Sequence, residues 1–426
     1  MASRERQLRL ARISPSLNVL VIATRPPYGQ MQGHKMAIRT YVRSLQCLGH
    51  RVIVAAFQIP GDRAETEDLD SKTYYLKLPS KVQIICNVLT RGLAGVSLNE
   101  CLYLSEQARR AIVKVVREES VDFAVADMIR TAPYAEASGQ PWILDLDDLL
   151  SDRYSRWASG TSGSESILGY LEQVIPTKVR PIARWTFSKM LRRESRVLAK
   201  REVFWVGRSR ASSLRSLSET KDMRRRTPDA RLFCLPVSVP IPEETAHRLG
   251  HRPMTAVFTG SLTYQPNLEA LRVYAHGIIP EFDRCHVIVP TLNVIGSAPE
   301  ALRRDLNHPS IRFLGYVPDV YEELRKAQVF FAPIVSGTGI KIKVLEALAS
   351  GMPVIGFPVG LAGLDGEPER EYLGAVDAAD FVRQYVRLRD DIGLGAAIGA
   401  AARQLAIKCY SLDATTSILD RELKWL

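Results

Sequence analysis

Short apolar runs alternate along the chain with stretches in which apolar residues recur at intervals of three and four. The runs are NVLVIA (18–23), RVIVAAF (51–57), FAVAD (123–127), WILDL (142–146), VFWVG (203–207) and RLFCLPV (231–237), and amphipathic stretches such as 34–48 and 100–119 lie between them. This strand–helix alternation predicts a parallel, doubly wound α/β sheet. The pattern restarts after the joint VSVPIPEETAHRLGHRP (237–253), with MTAVFTG (254–260), HVIVP (286–290), IRFLGYV (311–317), VFFAPIV (329–335) and PVIGFP (353–358).

The expected organisation is therefore a basic arm over 1–15, a Rossmann-like domain over 16–238, a linker over 239–253, a second Rossmann-like domain over 254–404, and a last helix over 405–426 that returns to the first domain. A chain of 426 residues is too long for one ordinary core, which also favours two domains. Two facing open sheets would leave an inter-domain cleft outside the carboxyl ends of their strands, where ligands bind in such folds.

Composition adds exclusions. A chain 46% hydrophobic and 24% charged is soluble and globular in class, and no run reaches the roughly 18 to 20 apolar residues of a membrane span. The first 18 residues carry four arginines and no apolar stretch, so they are not a secretory signal. Six scattered cysteines form no CxxC and stand at no metal-ligand spacing with histidine. That argues against a disulfide framework and against a zinc site, and it fits a reducing cytoplasm.

Charge is unevenly placed. Residues 1–240 hold 38 Lys+Arg against 24 Asp+Glu, whereas 241–426 hold 19 against 22. A basic N-terminal half suggests an anionic partner there, such as a phosphorylated acceptor or an acidic membrane surface contacted peripherally, or simply a well-solvated face. Within that half, KVRPIARWTFSKMLRRESRVLAKR (178–201) is an amphipathic basic helix with Ile182, Trp185, Leu191 and Leu198 available for one side. It reads first as a surface helix packed on its sheet and second as a membrane-surface helix.

The most informative stretch is VFFAPIVSGTGIKIKVLEALASGMPVIG (329–356). A strand ending at Val335, the turn SGTG, a helix from about Lys341 to Ser350, Gly351 as its C′ residue and Pro353 opening the next strand make one strand–turn–helix–turn unit. Gly337 and Gly339 permit close approach of a ligand to the backbone, and the first helical turn offers its N–H groups to an anion. Lys341 and Lys343 oppose the helix dipole there, a mismatch that a bound diphosphate would reverse. Glu346, on the same face as Lys343, could accept two ribose hydroxyls. The plainer alternative is a Lys343–Glu346 surface pair.

Beyond these physical readings, APIVSGTGIKIKVLEALASGMPVIGFPVGLAGL resembles the donor-site signature of family 4 glycosyltransferases of the GT-B fold, in the subgroup with a Gly-containing turn, a Lys pair and EA-A-G-PV. VFTGSLTYQPNLEAL (257–271), IRFLGYVPDVYEELRKAQVFFAP (311–333), GHKMAIRTYVRSLQCLGHRVIV (33–54) and WILDLDDLLSDRYSRWA (142–158) resemble other segments of that family in order. The resemblance implies two facing Rossmann-like domains and a retaining, hexosyltransferase-type transfer from a nucleotide diphosphate sugar without a bound metal or other cofactor. It implies that Gly337, Thr338, Gly339, Ile340 and Lys341 lie along the donor sugar and diphosphate, with Lys343 joining Lys341 on the leaving charge. Glu346 would hold the ribose, the main chain near Tyr316 and Val317 would meet the base, and Gly33, Gly260 and Ser261 would approach the donor.

The likeness departs from the family at three places. The first of two glutamates that many members carry eight positions apart falls on Thr338. An Arg and a Lys after the donor domain's first strand fall near Ser261 and Asn267. A histidine of the N-terminal wall corresponds to Asp147 or a neighbour, so Asp147 is a candidate catalytic or acceptor-side group or else a helix N-cap. Two other functions fit the same residues: a sugar-nucleotide epimerase, which would turn over donor alone, and a catalytically silent protein using the basic face for anions or nucleic acid.

Overall fold

A computed structural model describes residues 16–28, 33–58, 69–159, 180–243, 255–337 and 339–424. The chain divides into two compact units, one of residues 1–158, 186–238 and 412–426, the other of 159–185 and 239–411.

The first unit holds β1 (Asn18–Ala23), β2 (Arg51–Gln58), β3 (Lys72–Lys77), β4 (Phe123–Asp127), β5 (Trp142–Asp145), β6 (Ala211–Leu214) and β7 (Leu232–Cys234). All pair in parallel, in the order β3-β2-β1-β4-β5-β6-β7. Its helices are α1 (Gly33–Cys47), α2 (Lys81–Asn87, continued by a π-helical turn, Val88–Gly92), α3 (Leu98–Cys101), α4 (Glu106–Glu118), α5 (Met128–Ala137), α6 (Leu150–Ser159), α7 (Arg180–Val206) and α8 (Leu217–Arg226). Ser80, Ser97 and Ser105 start α2, α3 and α4 by accepting the N–H of Gln83, Glu100 and Ala108, which would otherwise lack a partner.

Alternate residues of each strand enter different cores. Leu20, Ile22, Ile53 and Ala55 pack on one side of the sheet, and Val19, Val21, Val52 and Val54 on the other. Burial on both faces is why these strands read as unbroken apolar runs.

The second unit holds β8 (Thr255–Thr259), β9 (Thr291–Ile295), β10 (Ile311–Gly315), β11 (Val329–Ala332), β12 (Val354–Gly356) and β13 (Leu373–Gly374), parallel in the order β10-β9-β8-β11-β12-β13. Around it run α9 (Gln265–Val273), α10 (Ile279–Arg284), α11 (Glu300–Asp305), α12 (Val320–Arg325), α13 (Ile342–Ala349), α14 (Pro358–Leu361), α15 (Ala378–Asp390) and α16 (Ile392–Leu405). One continuous core gathers Phe258, Phe330, Phe331, Leu345 and Phe381. After a π-helical turn at Ala406–Tyr410 the chain returns to the first unit as α17 (Leu412–Leu423). There α17 lies along α1: Leu419 joins the core that holds Leu45, the Thr415 and Ser44 hydroxyls stand 3.2 Å apart, and Glu422 pairs with Arg231 at 2.9 Å.

Several local expectations give way. VFWVG is the last turn of α7, because Leu191, Glu194, Leu198, Glu202 and Trp205 recur at helical spacing on its buried side, and a short apolar run cannot by itself tell helix from strand. HVIVP precedes β9 instead of forming it. Pro290 offers no N–H to a ladder, and β9 is an interior strand with neighbours on both sides. β11 ends at Ala332, three residues before Val335. The stretch 100–119 divides into α3 and α4, and the last helix starts at Leu412 because α16 runs through 405. Among unforeseen strands, β6 carries Ser212 and Ser213 in its middle. Both are buried and hydrogen bonded, Ser213 to Asp145 and to the Tyr41 hydroxyl. Ile182 and Trp185 fall outside the residues whose side chains are described, while Leu191 and Leu198 are buried, as expected of a helix packed on its sheet.

Candidate donor site

In the second unit the strand order reverses between β8 and β11, with β9 and β10 on one side and β12 and β13 on the other. Loops leaving two such neighbours go to opposite faces of the sheet and leave a crevice at the carboxyl ends, the usual ligand position in open α/β sheets. Three segments meet there: Gly260–Ser261 after β8, Gly296–Ser297 after β9, and the turn from Pro333 into α13.

Lys343 organises this corner. Its Nζ donates to Oδ1 of Asn267, in the first turn of α9, and lies 4.4 Å from the centroid of the Phe258 ring. Asn267 in turn donates through Nδ2 to the Ser261 carbonyl at 2.8 Å. Asn267, where the resemblance places a family lysine, thus acts as an acceptor that holds a lysine from another helix. Gly260 (φ +144) makes room for the arrangement: a Cβ there would lie 2.5 Å from Lys343 Nζ and 2.5 Å from Asn267 Nδ2. Gly296 (φ +132) backs it, since a Cβ would stand 2.4 Å from the Gly260 carbonyl oxygen.

Electrostatics follow from burial. Loss of water pulls the Lys343 amine down to about 7, against the attraction of Glu346 and with the repulsion of Lys341. Burial pushes the Glu346 carboxyl up to about 7, opposed by Lys343. Tyr321, whose hydroxyl donates to the Pro240 carbonyl at 3.3 Å, is raised by its own burial and by the Glu346 charge. The Lys343–Glu346 pair is therefore no surface pair: both side chains are half-buried, and Lys343 directs its hydrogen bond to Asn267.

Lys341 is the N-cap residue of α13 and donates from Nζ to the Gly339 carbonyl at 2.6 Å, folding back over the turn. Gly337 (φ +99) and Gly339 (φ +67) both have left-handed backbones, which only glycine adopts without strain. Ser336 donates to Glu269, and Ile340 lies against Gly363, whose added Cβ would meet it at 3.5 Å. Ser261 joins a hydroxyl cluster with Ser297 and Thr263, at 2.5 and 2.7 Å. Thr338 lies outside the described residues. Tyr316, 74% exposed, and half-buried Val317 follow β10, two strands from β8. Phe258, Gly296, Ser297 and Tyr321 were not singled out from the sequence, and Asn267 entered only as a departure from the family's lysine. A glycine or serine directly after a buried strand was the available signal for Gly296 and Ser297.

Of the first-unit candidates, Gly33 opens α1 and is exposed. Asp147 (φ +62) follows β5 and accepts from Arg215 Nε at 3.1 Å, while the same guanidinium also binds Asp145 and donates to the Leu235 carbonyl. Asp127, in register with Asp145 on the adjacent strand, accepts from the Thr24 N–H and hydroxyl at 2.8 and 2.6 Å. Burial raises Asp145 while Arg215 holds it down, and burial pushes Glu219 up to about 7 beside Asp148. Arg215 thus links the ends of β5, β6 and β7, with Asp147 as one of its ligands. Among the described residues no group of three or more His, Cys, Asp or Glu side chains is placed to hold a metal ion.

A family profile described as "Glycosyl transferases group 1" matches residues 253–391. No curated protein matches the chain. Among solved structures, sucrose-phosphate synthase from Thermosynechococcus elongatus superposes with a TM-score of 0.65 at 14% identity, covering 96% of this chain and 98% of that one. HepE of Anabaena, solved with UDP and glucose, gives 0.63 at 12%, covering 96% and 100%. TarM of S. aureus, solved with fondaparinux, alpha-GlcNAc-glycerol and UDP, gives 0.64 at 10%, covering 96% and 99%. At such identities the likeness is one of fold, and that fold is the GT-B arrangement of two Rossmann-like units. Residues 253–391 form a glycosyltransferase group 1 domain in a chain of this fold, and by that domain the protein is a glycosyltransferase.

Proposed function

We propose that the protein is a retaining glycosyltransferase of the family 4 type, moving a hexose from a nucleotide diphosphate donor to an acceptor without a metal ion or other cofactor. The observation that carries this reading is Lys343: an amine desolvated over Phe258, seated on a neutral amide and placed at the carboxyl end of β8, beside the glycine turn of β11. A charged diphosphate entering that crevice would restore its full charge and gain charge-assisted hydrogen bonds. Lys341 and the backbone of Gly337 and Gly339 would complete the cradle, with Thr338 between them.

As the glycosidic bond breaks, negative charge grows on the β-phosphate while the sugar becomes oxocarbenium-like. Two ammonium groups and fixed N–H donors meet that charge without rearranging, which is the part a divalent cation would otherwise play. Glu346 would take the ribose hydroxyls, Tyr316 and Val317 the base, and Gly260, Ser261, Ile340 and Gly33 the remaining donor surface. Asp147, held by Arg215, would serve on the acceptor side. HepE and TarM were each solved with UDP, and the HepE series includes UDP-glucose, which supports a nucleotide sugar as the partner here.

The test is calorimetric titration of UDP, GDP and their nucleosides, followed by product analysis with nucleotide sugars in the presence of EDTA. The double variant Lys341→Ala, Lys343→Ala should weaken diphosphate binding by about 100-fold or more and nucleoside binding little, since hydrogen bonds to charged groups contribute about 1.5–3 kcal/mol each. Equal losses for both ligands, or turnover abolished by EDTA, would refute the assignment. Conversion of the donor sugar without any acceptor would identify an epimerase instead.

A further inference from the structure

The first unit carries an apolar ridge that its described residues leave exposed. Along α2 and its π-helical continuation, Val82, Ile85, Leu89 and Leu93 follow one another at intervals of three and four, placing them on one helical face, and all four are exposed, Val82 at 70% and Leu93 at 72%. Neither α2 nor the π-helical turn has a single buried residue. What holds them is polar: Asn87 Nδ2 donates to the carbonyls of Cys101 and Leu104, at 3.1 and 2.9 Å. Ile84 and Val88 are half-buried on the other side, so this segment turns its larger apolar share outward, which its own domain's core does not account for.

Charge around the ridge is sorted by sign. Residues 81–95 contain Lys81 and Arg91 and no acid. The neighbouring α3 joins this segment to α7, because Glu194 accepts the Asn99 N–H at 3.3 Å and Glu100 binds Arg201 at 2.7 Å and the Trp205 indole N–H at 2.8 Å. Both acids of α7, Glu194 and Glu202, are buried, Glu202 on Ser151. Its exposed positions carry Lys189, Arg192, Arg193, Arg196 and Lys200. An acid-free apolar ridge thus adjoins, through α3, a helix whose outward charge is all positive.

We infer that this surface docks on an anionic phospholipid bilayer, with the α2 ridge entering the interfacial region and the α7 cations facing lipid phosphates. A ridge one helix wide, with cations beside it and no acid, has the make-up of an interfacial helix. A protein–protein patch would instead be depleted of lysine. Anionic lipid complements this charge, and each cation held near such a surface adds to the attraction. The inference is independent of the donor reading, since these residues lie in the first unit and lipid binding needs no nucleotide.

The test is cosedimentation of the full chain with phosphatidylcholine vesicles, with and without phosphatidylglycerol, in the absence of nucleotide. Binding is expected only with phosphatidylglycerol and should fall as salt is raised. Ile85→Glu with Leu89→Glu should lower the partition coefficient by about tenfold or more while leaving the unfolding temperature and UDP affinity little changed, because both side chains are largely exposed. Arg192→Glu with Arg193→Glu should weaken binding to anionic vesicles through charge alone and serves as the second variant. No partition onto phosphatidylglycerol vesicles, or partition of the double Glu variant equal to the parent, overturns the proposal. So does sedimentation velocity showing a parent dimer that Ile85→Glu, Leu89→Glu converts to monomer, since the ridge would then meet a second copy of the chain.

Discussion

Lys343 shows how one side chain can be costly to the fold and useful to a site. Its amine titrates near 7 in the folded chain and near 10.5 when unfolded, so between those values the unfolded state holds more protons and stability rises with pH. Glu346 works in the opposite sense. Folded near 7 and unfolded near 4.5, it makes stability fall as pH rises through that interval. Together the two place their greatest combined cost near pH 7. Replacing Lys343 by methionine, similar in length and without charge, should therefore be more favourable to the ligand-free protein at pH 7 than at pH 10, by about 1–3 kcal/mol, whatever the loss of the Asn267 hydrogen bond costs at both. Thermal denaturation of parent and variant across that range checks it, and a pH-independent difference would show that the amine is not desolvated. The sequence made Lys343 conspicuous through its mismatch with the helix dipole. Of its partners, 76 and 85 positions earlier, Asn267 stood out only as a departure from the family's lysine and Phe258 not at all, because an amide and a ring in strand-and-helix context do not point to an ammonium until the fold sets them under it.

At the scale of elements, the ends of β8 and β9 are joined by glycine packing. Gly296 brings its Cα against the Gly260 carbonyl, and Gly260 leaves the space that Lys343 fills. Gly296→Ala would force a Cβ to within 2.4 Å of that oxygen at a left-handed backbone position, so the two strand ends must part. The expected result is a loss of about 1–3 kcal/mol in urea denaturation together with weakened UDP binding. Stability loss with unaltered UDP affinity would separate this corner from the proposed donor site. Elements that the apolar pattern foretold are those buried on both faces, such as β1, β2 and β11. β6 escaped it because its buried serines are satisfied by hydrogen bonds, Ser212 with Ser209 and Ser213 with Asp145, and HVIVP misled because periodicity does not record where a proline's missing N–H forbids a ladder.

For the molecule as a whole, the consequential step is the return of α17 to the first unit. Leu419 is fully buried there, and Glu422 pairs with Arg231, so residues near the carboxyl end complete a core begun at β1. Leu419→Ala should cost about 2–5 kcal/mol in the first unit. Stabilisation by UDP, which the donor reading assigns to the second unit, should persist in that variant. Thermal melts with and without UDP test this, and loss of the UDP effect would mean that the second unit depends on α17. The basic charge of the N-terminal half, legible as a count, acquires a location only in three dimensions, where the acids of α7 turn inward and its bases outward.

By itself the sequence determined what depends on neighbours along the chain: alternating strand and helix, two series of them, and the glycine turn with its lysine pair before a helix capped by Gly351. Tertiary structure decided what depends on distant segments meeting: the strand order that sets β8 beside β11, the seat of Lys343 on Asn267, the Arg215 clamp on Asp145 and Asp147, and the exposed ridge of α2. The reason is physical. Periodicity and turn chemistry act over a few residues, whereas desolvation, ion pairing and close backbone approach depend on distances that only the packed chain defines.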